Sequence, residues 1–353
     1  MSLTVPVIIP SYEPDERLYE LARVIKNYPY GPVIIVNDGS GRSFDPIFSE
    51  VMDELGENGI FLQHEVNQGK GAALKTAFNY VLEHDMDAIG VTTADSDGQH
   101  SVRDIQRISE ELISHPQDLV LGARDFNGED IPWKSRLGNK LTSVIMTFLE
   151  GIKINDTQTG LRGIPRYFMK RLTEIKENRF EFETKMLLEA DNKLIREVEI
   201  ETIYDSKENH VTHFNPFTDS IKIYKLLMEK FVSYVLSSLS ASVVDVALFA
   251  VFSALLIHGM PAVYIAAATI LARICSATYN YIVNRLLVFK SEKKTSGTLT
   301  KYAALALVQM NLSAILTTIG ASLLLIIPAV LVKMGVDTIL FFMSYRIQQR
   351  FIF

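Results

Sequence analysis

The chain has 353 residues, a formal net charge of −6 and a single cysteine. No disulfide framework is possible, and Cys275 lies inside an apolar run, which fits a reducing, cytoplasmic setting for the soluble part. The charge is unevenly spread: residues 1–230 carry a net of −12, whereas Phe231 to the end has nine Lys+Arg and three Asp+Glu, a net of +6. An acidic, well-mixed segment followed by an apolar, weakly basic one implies two domains, and no nucleic-acid partner is expected.

Residues 1–200 alternate short β-branched runs with helical periodicity. Leu3–Pro10 is short, lacks a basic flank and reads as a first strand rather than a signal peptide. Leu3–Ile9, Val33–Val36, Ile60–His64, Ile89–Thr93 and Leu119–Leu121 read as strands, with helices at Glu16–Lys26, Gly71–Glu83 and Arg103–Ser114. That order implies a mainly parallel, doubly wound sheet with its sites at the carboxyl edge.

The strand ends carry the chemistry. Ile8–Glu13 (IIPSYE) ends the first strand, and Pro10, Tyr12 and Glu13 would line a base. Val33–Gly41 (VIIVNDGSG) ends in a tight turn that offers Asp38 to a base or ribose. Asn67–Gly71 (NQGKG) opens a helix, where two glycines allow close approach and Lys70 can reach a phosphate at the helix N-terminus. Ala88–His100 (AIGVTTADSDGQH) holds the strongest signal. Its apolar run stops at Thr93, and Asp95, Asp97 and Gln99 follow as oxygen ligands for Mg²⁺ or Mn²⁺ carrying a nucleotide diphosphate. A second Asp-x-Asp, Asp85 and Asp87, lies in a polar segment before that strand and reads as a solvated turn.

After Ile203 the character changes. Residues 204–220 are polar and contain His210 and His213; Asp219–Lys230 reads as an amphipathic helix. Phe231–Ile257, Ala262–Phe289, Tyr302–Ile327 and Ala329–Tyr345 are each long enough to span a bilayer at about 20 apolar residues per crossing, the last marginally. Lys222, Lys225 and Lys230 precede the first span, five basic residues surround the connection between the second and third, and Arg346 and Arg350 follow the fourth. The positive-inside rule then puts both termini and the soluble domain in the cytoplasm. Three polar stripes mark the spans: Ser238, Ser242 and Asp245; Arg273, Asn280 and Asn284; Asp337, Ser344 and Gln348. Helix rise places Asp245 and Arg273 at one depth, as a pair. Such stripes serve as glue between helices or as a transport path. No internal repeat is evident.

Taken together, IIPSYE, VNDGSG, NQGKGAAL, ADSDGQH, LGAR and DTQTGLR resemble, in order and spacing, the inverting GT-A glycosyltransferases. The group most similar is the polyprenyl-phosphate hexose synthases, which include dolichyl-phosphate mannose synthases and bactoprenol glucosyltransferases. The likeness covers residues 1 to about 215. Ala272–Phe289 (ARICSATYNYIVNRLLVF) and Val332–Phe353 (VKMGVDTILFFMSYRIQQRFIF) resemble the GtrA-like membrane family. The resemblance implies an α/β GT-A fold, Rossmann-like with a mainly parallel sheet, over residues 1–215. A juxtamembrane helix (216–230) and an all-α transmembrane domain of four helices (231–353) follow, making a multi-pass protein of the cell membrane.

It also implies roles by position. Asp95, Asp97 and Gln99 would hold the metal on the diphosphate, with Asp97 catalytic. Asp38 with Pro10, Tyr12 and Glu13 would bind the nucleoside, and Arg124 and Arg136 would meet phosphates of the donor or the lipid. Thr159, Gly160 and Arg162 would shape the sugar and acceptor side. The mannose synthases of the group have an Arg…Gly-x-Ser-Lys segment near the membrane, where this chain has Glu208–Phe214 (ENHVTHF). That departure favours a UDP-sugar over a mannose donor and makes His210 and His213 contacts for the lipid phosphate. The expected activity is hexose transfer from a nucleotide sugar to polyprenyl phosphate with inversion, on the cytoplasmic face. The competing readings are a lipid-linked sugar flippase, a processive polysaccharide synthase, and a catalytically dead membrane adaptor, which the complete acidic cluster disfavours; a second copy of the chain is a candidate partner, as a homo-oligomer. A synthase would need a Gln-x-x-Arg-Trp motif, and the sole tryptophan, Trp133, stands in Ile-Pro-Trp-Lys.

Overall fold

A computed structural model describes the chain except for residues 1–2, 86, 125–132, 192–193, 202–217, 261 and 324–325, and the side chains of 133–135. Two compact units result, Met1–Leu227 and Met228–Phe353.

The first unit is built on seven strands: β1 (Val7–Ser11), β2 (Val33–Asn37), β3 (Gly59–Gln63), β4 (Gly90–Thr93), β5 (Leu119–Arg124), β6 (Arg162–Pro165) and β7 (Ile195–Ile200). Their order across the sheet is β3-β2-β1-β4-β6-β5-β7. β1 pairs in parallel with β2 and β4, and β5 with β7, while β6 runs antiparallel to both of its neighbours. Parallel strands covered on both faces read as unbroken apolar runs, and β1 and β2 are buried at every position. Their side chains alternate between two cores. Ile8, Ile34 and Val36 face one, packed on Phe78, Phe168 and Phe182; Val7, Ile9, Val33 and Ile35 face the other, packed on Leu18, Phe48 and Ile105.

The helices of this unit are α1 (Glu16–Ile25), α2 (Asp45–Leu55), α3 (Lys70–His84), α4 (Val102–Ser114), α5 (Trp133–Leu149), α6 (Arg166–Thr173) and α7 (Glu181–Glu189). Caps set the starts of two of them. Asp15 accepts the Arg17 N–H of α1, and Ser101 accepts the Asp104 N–H of α4. β1 starts later than the apolar run suggests because Pro6 has no N–H to give, and Thr4 makes only an isolated bridge to Ala88. β6 escaped the pattern because Arg162 breaks a run of four residues, and β7 because it alternates Ile, Val and charged residues. Asp85 accepts the Thr4 hydroxyl and the Asp87 N–H, as a turn would.

The second unit is helical. α8 (Thr218–Leu256), α9 (Tyr264–Val283), α10 (Thr295–Leu323) and α11 (Ala329–Ile347) correspond to the four apolar stretches. The separate amphipathic helix expected over 219–230 is not separate. With no Gly or Pro from Thr218 to Leu256 to stop it, it runs straight on into the first span as α8. By length and composition α8 and α10 are apolar enough to cross a membrane. Their outward side chains include Val243, Val246, Leu307 and Met310, all largely exposed.

The expectation that the chain has no repeat is overturned here. α9 and α11 each run into a π-helical turn, at Asn284–Val288 and Gln348–Ile352. Tyr281, Asn284, Val288 and Phe289 recur at the same spacing as Tyr345, Gln348, Ile352 and Phe353. The contacts are reciprocal, as a twofold demands. Tyr281 lies 5.8 Å from Phe353, and Phe289 lies 5.9 Å from Tyr345. Tyr234 of α8 lies 5.2 Å from Tyr345, and Tyr302 of α10 lies 5.4 Å from Tyr281. Phe289 stacks on Phe353, and Asn284 donates to Gln348 at 3.1 Å. The endings of α9 and α11 therefore pack on each other around an approximate local twofold axis. Only the short endings of the spans carry the repeat, so hydrophobicity alone hides it. Asp245 and Arg273 form the pair expected of them, at 3.2 Å.

Candidate active site

Register brings the strand ends to one edge. Pro10 lies beside Val36, Ser11 beside Asn37 and Ile8 beside Thr93, so Pro10–Tyr12, Asp38 and Asp95–Gln99 leave the sheet together. They line a cavity of about 670 Å³. Of the residues expected there, Pro10, Tyr12, Asp38, Lys70, Asp95, Asp97, Gln99 and Arg124 line it.

Asp38 is buried and holds the loop before α3. Its two oxygens accept the N–H groups of Gln68 (2.9 Å) and Gly69 (2.7 Å), and His64 Nδ1 lies 2.7 Å away. The glycines of that loop are needed for close approach. A Cβ at Gly69 would overlap Arg179 and Asn178, and one at Gly71 would overlap Phe182. The start of α3 is thus pressed against the start of α7, and the Lys70 ammonium comes to rest between Asp95 (2.6 Å) and Glu183 (2.9 Å).

These neighbours set the charges. Burial alone would lower the Lys70 ammonium, but Asp95 and Glu183 outweigh it and hold it above its ordinary value. Burial likewise opposes ionisation of Asp95, and the Lys70 ammonium, with Arg124, overcomes that and keeps the carboxyl below the usual range. Asp97 moves the other way, pushed up first by burial and then by the Asp95 charge. Burial pushes His100 below its ordinary value against the pull of Asp95 and Asp97, leaving a neutral ring whose Nδ1 accepts the Asp95 N–H at 3.2 Å. Among the described residues no three His, Cys, Asp or Glu are placed to hold a metal. Two carboxylates nonetheless suit Mg²⁺, which binds through one or two of them and completes its shell with phosphate oxygens and water.

Other expected residues sit elsewhere. Arg162 is not at the surface of the cavity. It is 1% exposed, and its guanidinium donates to the carbonyls of Thr159 (2.9 Å) and Glu183 (2.8 Å) from inside the fold. Thr159 is also buried, with its hydroxyl accepting the Leu161 N–H. Both support the floor at Gly160, where a Cβ would collide with the Asp95 carboxylate. Glu13 stands outside the lining; its N–H donates to Ser40 Oγ at 2.8 Å, and its carboxylate, by hydrogen bonding, raises the Tyr12 phenol. Arg136 is exposed on α5 and does not line the cavity. His210 and His213, with the rest of Glu208–Phe214, lie outside the described residues.

Three residues were missed by the sequence reading. Asp156 is fully buried and grips Arg124 through both oxygens, at 2.6 and 3.0 Å, aiming the arginine along the cavity. It was within reach of the DTQTGLR motif. Arg179 and Glu183 also line the cavity. In RFEFETKMLLEA they read as an ordinary charged helix face, and only the α3–α7 contact brings them in.

A seven-stranded, mostly parallel sheet with this cavity at its edge defines a GT-A nucleotide-sugar fold, followed here by a helical domain. The glycosyl transferase family 2 profile matches residues 7–173, and the GtrA/DPMS transmembrane domain matches residues 233–353. A UDP-N-acetylglucosamine–dolichyl-phosphate N-acetylglucosaminyltransferase of Methanococcus voltae is 32% identical over 215 residues, covering 56% of this chain and 85% of that protein. An uncharacterized protein of Methanocaldococcus jannaschii is 26% identical over 230 residues, 64% of this chain and 91% of its own. Among solved structures, mannosyl-3-phosphoglycerate synthase from Rubrobacter xylanophilus has a TM-score of 0.46 at 14% identity, covering 64% of this chain and 72% of that one. The chain belongs to glycosyl transferase family 2, with a GtrA/DPMS transmembrane domain fused behind it, and is a membrane-associated glycosyltransferase.

Proposed function

We propose that the enzyme transfers one hexose from a UDP-sugar to a polyprenyl phosphate, with inversion, at the cytoplasmic face of the membrane. The observation that carries this reading is the single cavity in which Asp38, the Asp95–Asp97 pair, Lys70, Arg124 and Arg179 meet. The Methanococcus voltae relative, whose name gives UDP-N-acetylglucosamine and dolichyl phosphate as its substrates, supports the choice of donor and acceptor.

In this reading Pro10, Tyr12 and Asp38 hold the nucleoside. Asp95 and Asp97, with the Gln99 amide, would hold Mg²⁺ or Mn²⁺, which supplies positive charge to the departing diphosphate. Lys70, Arg124 and Arg179 add to that charge, and Asp156 fixes the direction of Arg124. A lipid monophosphate, with a second pKa of about 6, is already ionised at neutral pH, so its oxygen attacks the anomeric carbon without a protein base. The protein's task is then to align two anions and exclude water. In the same reading Arg136, His210 and His213 contact the lipid phosphate, the helical domain anchors the enzyme and presents the lipid, and both termini are cytoplasmic.

The test is incubation of purified protein with polyprenyl phosphate and a panel of UDP- and GDP-sugars, with Mn²⁺, Mg²⁺ or EDTA, followed by mass spectrometry of the organic extract. One UDP-sugar should give a lipid product that EDTA abolishes. A GDP-sugar product would overturn the donor, and no lipid product from folded protein would turn the reading towards a flippase or adaptor.

A further inference from the structure

Lys70 is held by two carboxylates, and only one of them belongs to the acidic pair that follows β4. Asp95 takes its ammonium at 2.6 Å and Glu183 at 2.9 Å. Neither end of this bridge is free to drift. Lys70 is the first residue of α3 and Glu183 lies in the first turn of α7. The two helix starts are tied by the Ala72 N–H, which donates to the Asn178 carbonyl at 2.9 Å, and by the Lys75 ammonium, which donates to the carbonyls of Ile175 and Glu177. Phe182, next to Glu183, fills the space left by Gly71.

The arrangement poses a competition. An ammonium on Asp95 occupies a carboxylate oxygen that a divalent cation needs. Asp38, Asp95, Asp97 and Glu183 all line the cavity, and the Lys70 ammonium bridges two of them, Asp95 and Glu183. We propose that Glu183 is a positioning residue that retains Lys70 when Asp95 is surrendered to the cation, so that the ammonium stays in the cavity, turned to the diphosphate. This rests on the reading of Asp95 and Asp97 as cation ligands. Without Glu183, Lys70 has one carboxylate left, and cation binding must break that pair and leave a partly buried ammonium uncompensated. Glu183 therefore governs cation affinity without touching the cation.

The experiment is Mn²⁺ binding to the purified full-length chain in the presence of UDP, followed by electron paramagnetic resonance. Glu183→Gln should weaken Mn²⁺ binding about tenfold, which is about 1.4 kcal/mol. Lys70→Met should bind Mn²⁺ at least as tightly as the wild type, because the competitor is gone, while UDP binds more weakly. The double variant Lys70→Met/Glu183→Gln should return Mn²⁺ affinity to near the wild-type value. A merely structural role for Glu183 would leave the double variant as weak as the single one, and that result overturns the proposal. So does unchanged affinity in Glu183→Gln, or weakened affinity in Lys70→Met, which also decides the matter should Glu183→Gln fail to fold. A wild-type chain that binds no Mn²⁺ with UDP overturns the cofactor reading and this inference with it; a wild type that binds, with variants that do not follow the pattern, overturns this inference alone.

Discussion

The two units handle buried polar groups in opposite ways. In the α/β unit, charge is concentrated at one edge: Asp95 and Glu183 share the Lys70 ammonium, and Asp97 lines the same cavity. In the helical unit, uncharged polar groups meet one another where the endings of α9 and α11 come together. Asn284 meets Gln348, Gln348 also reaches Tyr234 and Ser344, and Tyr302 donates to Asn280. Charge at a cavity edge is what binds a charged donor; closure within a bundle is what holds helices together in lipid, where hydrocarbon offers no hydrophobic drive between them. In the proposed function, the difference separates chemistry from anchorage within one chain.

The largest expected effect breaks the first half of that comparison alone. Asp97→Asn should lower sugar transfer on the order of a thousandfold, with the thermal unfolding of the protein in detergent unchanged. Transfer within about tenfold of the wild type would remove Asp97 from the site.

The second half is sharpened by Asn284→Leu and Gln348→Leu. Each should destabilise the helical unit by about 1–2 kcal/mol, and by similar amounts, since the two positions are equivalent under the twofold. The double leucine variant should cost less than the sum, because neither amide then leaves the other unpaired. Denaturant unfolding in micelles reads both; unequal single losses would contradict the symmetry.

Smaller effects belong to the scaffold of the α/β unit. Tyr28 is buried, with its hydroxyl 2.9 Å from the Val5 carbonyl and 2.6 Å from Ser109 Oγ, and burial raises its phenol well above the ordinary value. The unfolded chain would ionise first, so this contribution is full below the ordinary phenol pKa and is lost as pH rises above it. Tyr28→Phe should cost about 1 kcal/mol at neutral pH and flatten the alkaline fall in stability, measured by denaturant melts across pH. Smallest is Asp15→Ala, which removes the cap of α1 at a cost of about 0.5–1 kcal/mol. The hydrogen bond from Arg17 lowers the Asp15 carboxyl. Its stabilisation is present above the ordinary carboxylate value and lost as pH falls through the lowered one, so the variant should be less sensitive to acid.

What was legible in the sequence follows from these physics. Strands buried on both faces announce themselves, and β1, β2 and β4 with their acidic ends were readable because each strand and its site residues are contiguous. Asp38, Asp95 and Asp97 could be placed at the cavity for that reason. Glu183 and Arg179 were hidden because they reach the cavity through the packing of Gly69 and Gly71 against α7, a contact between distant segments. Arg162 misled for the converse reason: an arginine in a motif reads as lining the sugar and acceptor side, but here it is the buried first residue of β6, bonded to carbonyls. In the helical unit, composition revealed the four apolar stretches, while the repeat lay in a few aromatic and amide positions that a search for hydrophobicity passes over.

The central claim is that an already ionised lipid phosphate is the nucleophile and that one sugar is added. It is tested most directly by offering the purified enzyme and its donor three acceptors: polyprenyl phosphate, the corresponding polyprenol, and polyprenyl phosphate already carrying one sugar. Transfer to the first alone, stopping at one sugar per lipid, is the predicted result. Transfer to the alcohol, or products with several sugars, would demand a protein base or a processive site and would contradict the account.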